Sequence, residues 1–589
     1  MRKIVSLLLT LFIFIIFGAG FAKSIEESKW KNEKLAYSLR ERVFCEDTKD
    51  DLYIVWFFLR DRGEYGLSGK NDLDRASNVL STRALRRRRL RGIGYLDSTD
   101  LPVYSGYVEE IRNRVLKLRH VSRYFNAISA YATGYQIIQI SSLQFVREIR
   151  EVAQVRLPLG EVEINRDSAN GFALNSGSHE LSGGYGYSFY QLQQINLIPL
   201  LNEGYNGSGS ITSGSPVRIA ILDTGFNRGH EALKGVNVVG EWDFVNNDPV
   251  TKNESGDSPF QENHGTYVLG TIAGHEEGKL IGPAWGSEYL LAKTEIVDTE
   301  IVIEEDNWVA GLEWADSAGA DIVTSSLGYY YWYSNDELDG NTALCTKAAD
   351  IAVSHGIIVV NSAGNRGYGG LVAPADGDSV LAVGAVDERG EVAYFSSRGP
   401  TADGRVKPDL VAQGVNIYTV SVVDSINYTT VNGTSFSAPL IAGSCALLLE
   451  IHPDWDPIKV VETIKASASR AYMPVCDYGW GIPDVATASG LEMKENVVSV
   501  RFEGPMPNPF SDKASIAFFM PRAMYVIVDV YDVRGANLKH LYSGYSGKLW
   551  NTVSWDGTDE HGNRVSPGVY FISVRLPGAK KVLKTILLY

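Results

Sequence analysis

Three short stretches of this 589-residue chain carry side chains that do chemistry together. "AILDTGFNRGH" ends an apolar run on Asp223, "ENHGTYVLGTIAG" opens a helical run on His264, and "NGTSFSAPLIAG" sets Ser435 between Thr434 and Phe436 at the mouth of an apolar helix. Singly, each reads as an ordinary turn, cap or satisfied core group. Jointly they are what acyl transfer requires. A serine hydroxyl is a poor nucleophile until a base takes its proton, and imidazole suits that task near neutral pH. A buried carboxylate then fixes the imidazole tautomer and stabilises the imidazolium. The order Asp, His, Ser along the chain is one of three in which this triad occurs.

These groups need a rigid support, and residues 216–490 supply the pattern for one. Apolar runs such as "VRIAIL", "DIVTSSL", "GIIVVNSAG" and "VLAVGAV" alternate with helical stretches at 307–318, 343–354, 435–451 and 457–468. Fully apolar strands spaced by helices predict a parallel α/β sheet covered on both faces. The carboxyl ends of such strands are where chemistry is placed. Ala438, Ala442, Gly443 and Ala446 permit close packing of the helix behind Ser435, and Pro439 is expected in its first turn. Ser435 itself is expected at the cap of that helix.

Residues 184–490 resemble the subtilisin-like serine proteases along nearly their whole length. The Asp motif, the His-Gly-Thr helix start and Gly-Thr-Ser-x-x-x-Pro occur in order, with "FSSRGP", "KPDLVAQG" and "GWGIPDVATA" as further matching blocks. By that resemblance "GADIVTSSLGY" lines the substrate cleft through Ser326, Leu327 and Gly328, and "VVNSAGN" carries the oxyanion-hole asparagine, Asn365. The asparagine makes physical sense: attack on a carbonyl creates an anionic oxygen. An amide N–H and the Ser435 backbone N–H at a helix start would stabilise it. The resemblance implies polypeptide substrates, no cofactor for the chemistry and no catalytic metal. Calcium commonly stabilises this family, and the acidic loop 243–262 is the place expected for it. One residue departs from the pattern: Tyr267 stands where a second histidine is common.

The flanks fit a secreted precursor. Residues 1–22 pair a basic start with a short apolar run and a small-residue cleavage site, as a signal peptide does. Residues 23–157 are expected to form an α+β propeptide region, since 51–157 resembles the propeptides of secreted bacterial subtilases. Such a propeptide inhibits its own enzyme and assists folding. A Gly/Ser-rich linker, 158–187, is the expected site of autoprocessing, ahead of a catalytic domain at 188–490 and a linker at 491–500. Residues 501–589 alternate in short runs punctuated by Pro-Asn-Pro, Asp-Gly and Pro-Gly, which predicts an antiparallel β-sandwich. They resemble the sorting domains of the type IX secretion system, except that Tyr589 is terminal where a basic residue is more usual. A plain immunoglobulin-like adhesion module is the alternative. Sorting would place the enzyme outside the cell or on its surface.

Bulk properties exclude other classes. With 55 Lys+Arg against 70 Asp+Glu the formal charge is −15, which argues against a nucleic-acid partner. The one basic run, Arg86–Arg89, is expected to be a solvated helix face. No run after the signal reaches the roughly 20 apolar residues of a membrane span. Four cysteines make no disulfide framework; Cys445 reads as a buried thiol, and Cys345 with Cys476 is the sole pair considered for a bridge. An esterase on an α/β-hydrolase fold is disfavoured by the absence of Gly-x-Ser-x-Gly. A non-catalytic binding module is disfavoured by intact Asp223, His264, Asn365 and Ser435.

Overall fold

The computed structural model describes residues 34–45, 50–65, 70–93, 96–152, 154–157, 184–212, 214–297, 301–471, 473–491, 501–519, 524–546, 550–576 and 579–588. The expected signal peptide, the processing segment 158–183, the linker 492–500 and Tyr589 lie outside these.

The centre of the molecule is a seven-stranded sheet in the order Leu410–Gln413, Leu381–Val386, Ile358–Ser362, Ile322–Ser325, Arg218–Asp223, Glu288–Lys293, Asn237–Asp243. Every neighbouring pair is parallel. The strands carry near-continuous apolar side chains because both faces are covered. Thr434–Ile451 and Asn263–Ala273 pack into the core on one face, Glu305–Ala318 and Leu344–Ser354 into that on the other. Strand order departs on both sides of Arg218–Asp223, so its carboxyl end, where Asp223 sits, opens at a switch point of the sheet.

The helix Thr434–Ile451 is apolar enough in composition to cross a membrane, but 94% of it is buried inside the protein. Its N-cap is Gly433 (φ 145°), and Ser435 is the second helical residue rather than the cap. Pro439 lies inside the helix, beyond the first turn expected for it. It is tolerated because the acceptor it leaves unserved, the Ser435 carbonyl, is bonded from elsewhere, as described below.

The N-terminal domain is a four-stranded antiparallel sheet in the order Lys117–Ser122, Ala127–Thr133, Leu52–Leu59, Val146–Glu151. It has its own core around Val55, Phe57, Ile128, Ile137 and Ile149. Its opposite face, with Trp56, Phe58 and Tyr124, joins the catalytic-side core. The last strand, Gln154–Leu157, pairs antiparallel with Ile301–Glu304, which leads directly into Glu305–Ala318.

The basic run is a solvated face only at Arg86 and Arg89. Arg87 and Arg88 are buried, and both pair with Asp316 of the helix Glu305–Ala318, which also takes Arg123. Arg83 and Arg91 hold Asp321 at 2.7 and 2.8 Å, and Arg119 holds Asp306 at 2.7 Å. Acidic residues contributed by the neighbouring domain reverse the expectation drawn from overall charge. Burial alone would raise the Asp316 carboxyl, but the Arg123 and Arg87 guanidiniums hold it well below the usual range.

Residues 501–588 form two antiparallel sheets. One holds Arg501–Met506, Ala514–Phe519 and Trp550–Trp555; the other Asn537–Ser546, Met524–Tyr531, Gly568–Leu576 and Ala579–Leu587. Phe518, Val528, Trp555 and Ile572 fill the space between them, the expected sandwich. Cys345 and Cys476, the pair considered for a bridge, are free thiols, and Cys445 is buried as expected.

Candidate active site

Asp223 ends its strand fully buried, and its Oδ1 accepts hydrogen bonds from Thr224 N–H at 2.7 Å and from His264 Nδ1 at 2.7 Å. A carboxylate can only accept, so Nδ1 carries the proton and Nε2 is left as the basic nitrogen. The approach depends on Gly265: a Cβ there would lie 2.2 Å from the Gly225 carbonyl oxygen and 3.1 Å from Asp223 Cβ. Burial disfavours the imidazolium of His264, yet the charge and hydrogen bond of Asp223 outweigh it and raise the imidazole above its ordinary value. Phe436 packs at 5.7 Å from the imidazole ring, which places the start of the serine helix beside His264. Tyr267 meets the same phenylalanine edge-on, a packing role one turn along the helix from His264.

Ser435 is tied to the strand end that follows Ser325. Its Oγ donates to the Ser326 carbonyl at 3.4 Å, and Ser326 Oγ donates to the Ser435 carbonyl at 2.7 Å. Among the described residues, the Ser435 hydroxyl bonds there rather than to the imidazole. A nucleophile–base hydrogen bond commonly forms only with substrate present. Leu327 packs its side chain into the core, and its carbonyl accepts from the buried Asn361 Nδ2 at 3.0 Å.

Asn365 follows Gly364 (φ 105°) at the end of its strand. Its Oδ1 accepts from both Thr434 N–H and Thr434 Oγ1 at 3.0 Å. Those two donors settle the orientation of the amide, so Nδ2 is the group presented beside Gly433 at the head of the serine helix. The Ser435 N–H belongs to the first helical turn, whose donors have no acceptor within the helix. The arrangement thus brings together Asp223, His264, Ser435, Asn365 and Ser326. The sequence reading missed Thr434, whose signal was its place before Ser435, and Gly265, whose signal was its place after His264.

In the acidic loop Asp243 is already paired within the protein. Asp243, Asp248 and Glu254 bring carboxylate oxygens within 4.8 Å of one another. Yet Asp243 Oδ2 takes the Lys293 ammonium at 2.8 Å, and its Oδ1 accepts from the N–H groups of Val245 and Asn246 at 2.7 and 2.9 Å. Lys293 also binds Asp257 at 2.8 Å, so the protein supplies its own counter-charge.

Known proteins share this organisation. Residues 214–481 match the family described as "Subtilase family", and residues 54–168 match "Peptidase S8 propeptide domain, Bacteroidota". The subtilisin of Bacillus pumilus is 33% identical over 307 residues, 51% of this chain and 98% of that protein. Subtilisin DY of Bacillus licheniformis is 33% identical over 305 residues, again 51% of this chain and 98% of that one. Subtilisin E of Bacillus subtilis is 33% identical over 307 residues, 51% of this chain and 71% of its own length. Over a catalytic segment matched nearly end to end at such identity, with the Asp, His and Ser motifs in one cleft, the chain belongs to the subtilase family of serine endopeptidases and carries that family's propeptide.

Proposed function

We propose that Ser435 is the nucleophile, His264 the general base and then acid, Asp223 the group that orients it, and Asn365 an oxyanion donor. The observation that carries this is the 2.7 Å bond from His264 Nδ1 to Asp223 Oδ1. It fixes Nε2 as the basic nitrogen beside the serine helix. Ser435 Oγ attacks the peptide carbonyl carbon as its proton passes to Nε2. The carbonyl oxygen, now anionic, takes hydrogen bonds from Asn365 Nδ2 and Ser435 N–H. The C–N bond then breaks as Nε2 gives its proton to the departing amine, leaving an acyl ester on Ser435. Water repeats the sequence and frees the acid. Purified, processed enzyme should take a fluorophosphonate on Ser435, and the Ser435→Ala chain should neither label nor hydrolyse peptides. Labelling elsewhere, or hydrolysis by the alanine variant, overturns the assignment.

The substrates are polypeptides, and the chemistry needs no cofactor. The propeptide serves its own protease as inhibitor and folding aid. The buried arginine–aspartate contacts and the strand Gln154–Leu157 on Ile301–Glu304 support that reading. We place the boundaries at 1–22 for the signal, 23–157 for the propeptide region, 158–187 for the processed linker, 188–490 for the protease, 491–500 for a linker and 501–589 for a sorting sandwich. On this reading the enzyme cuts itself within 158–187, and the last domain addresses it through type IX secretion to the medium or cell surface.

A further inference from the structure

We infer that Val372 closes the substrate slot beside Ser435 and restricts the residue on the acyl side of the cut bond to alanine, glycine or serine. The inference rests on the catalytic assignment above. His264 must protonate the leaving amine, so the amine side of the substrate lies towards His264. The acyl side therefore lies on the other flank of Ser435. On this assignment that flank is the segment Ser326–Gly328, whose Ser326 carbonyl is 3.4 Å from Ser435 Oγ, together with Gly364, which precedes Asn365. Two glycines facing each other across a cleft leave room for a side chain to enter between them. Here that room is taken. A Cβ on Gly328 would lie 2.2 Å from Val372 Cγ2, and a Cβ on Gly364 would lie 2.8 Å from Val372 Cγ1. The two methyl groups of one valine thus touch the bare backbone of both walls.

Val372 is held where it is. It is 4% exposed, and the next residue, Ala373, exchanges two backbone hydrogen bonds with Tyr329, at 2.9 and 3.0 Å. The preceding Leu371 carbonyl accepts from Arg366 Nη1 at 2.9 Å. A β-branched side chain is also stiff about χ1, so swinging aside for a large substrate residue is disfavoured. A side chain of one or two heavy atoms can sit above the methyl groups, whereas leucine, phenylalanine or tyrosine would need the volume they hold.

The test is a peptide library cut by the processed enzyme, with active sites counted by fluorophosphonate labelling, followed by the same profile for Val372→Gly and Val372→Ala. Wild-type enzyme should favour alanine, glycine and serine before the cut. In Val372→Gly the ratio of kcat/KM for leucine or phenylalanine over alanine should rise at least ~10-fold, the scale on which apolar pockets discriminate by size. Val372→Ala should shift it in the same direction by less, and serves if the glycine variant does not fold. A wild-type preference for leucine, phenylalanine or tyrosine overturns the inference. So does a preference for aspartate or glutamate, which would hand selection to Arg366. Failure of the wild-type chain to label at Ser435 instead overturns the catalytic assignment, and this inference with it.

Discussion

Ser326 Oγ donates a 2.7 Å hydrogen bond to the carbonyl oxygen of Ser435. In an uninterrupted helix that oxygen would accept from the N–H four residues on, but that residue is Pro439, which has none. The proline frees an acceptor on Ser435 itself, and the Ser326 hydroxyl takes it. Ser326→Ala should therefore act on the position of Ser435. One buried hydrogen bond is worth about 1 kcal/mol, so kcat should fall roughly 3–10-fold with KM little changed. Steady-state kinetics on a small amide substrate decides it: an unchanged kcat means the bond does not hold the nucleophile.

The rise of activity with pH should lie above the ordinary imidazole value of about 6.5. His264 must be neutral to accept the serine proton, and the carboxylate of Asp223 favours the protonated form over the effect of burial. The same shift gives the sign for stability: the Asp223–His264 attraction is fully present below the unfolded imidazole pKa and fades as pH rises through the folded one. A kcat/KM profile with its acid limb at or below pH 6.5 contradicts the pairing.

Thr434 is a positioning residue for Asn365. Removing the donor itself, Asn365→Ala, should lower kcat by about 10²–10³, a figure that is subtilisin's own. Thr434→Val keeps the backbone bond to Oδ1 but loses the hydroxyl one. It should cost less than Asn365→Ala, act on kcat, and be recovered by Thr434→Ser. A loss confined to KM in either variant removes Asn365 from the oxyanion role.

Much of this architecture follows from local sequence pattern. Strand and helix periodicity placed the parallel sheet, and Asp223, His264 and Ser435 were legible because acyl transfer demands their types together. What stayed hidden depends on contact across the chain. Arg87 and Arg88 look solvated until Asp316, more than two hundred residues away, is brought against them. Lys293 ends an apolar strand and gives no local sign that it will neutralise Asp243 and Asp257. Sequence alone suggests a first-turn place for Pro439, and only the register of the helix shows which carbonyl it frees.

The last domain should be separable. Its sheets enclose their own core of Phe510, Phe518, Val528, Trp555 and Ile572, and the triad residues all precede it. A chain ending at Gly490 should hydrolyse peptides with unchanged kcat/KM yet accumulate inside the native host while the full chain is exported. Equal export of the two makes residues 501–589 an adhesion or substrate-binding module instead. An inactive truncated chain moves the boundary.

Asp316 should govern how long the cut propeptide stays bound. Its carboxylate meets Arg87, Arg88 and Arg123 of the propeptide and accepts from Tyr124 Oη at 2.9 Å. Its fourth side is His355 of the protease, whose Nδ1 lies 2.9 Å away. These pairs are buried, so raising NaCl from 0.1 to 1 M should loosen the complex little. Burial would raise the carboxyl, but the guanidiniums depress it. A depressed carboxyl contributes its stability above the ordinary aspartate pKa of about 3.9 and loses it only as pH falls through the lower bound-state value. Asp306 and Asp321, likewise depressed against their burial by Arg119 and by Arg91 with Arg83, act in the same window. The processed complex should therefore stay together at pH 5. In Asp316→Asn three buried guanidiniums lose a full counter-charge, which costs about 3–5 kcal/mol when a buried pair is broken. The propeptide inhibition constant should rise about 10²–10⁴-fold, measured with propeptide released from the wild-type chain. Because the substitution also touches His355, Arg123→Met in the propeptide serves as the matched variant on an unaltered protease. If both variants inhibit as tightly as wild type, the charge cluster does not hold the propeptide, and the burden falls on the apolar face of Trp56 and Phe58.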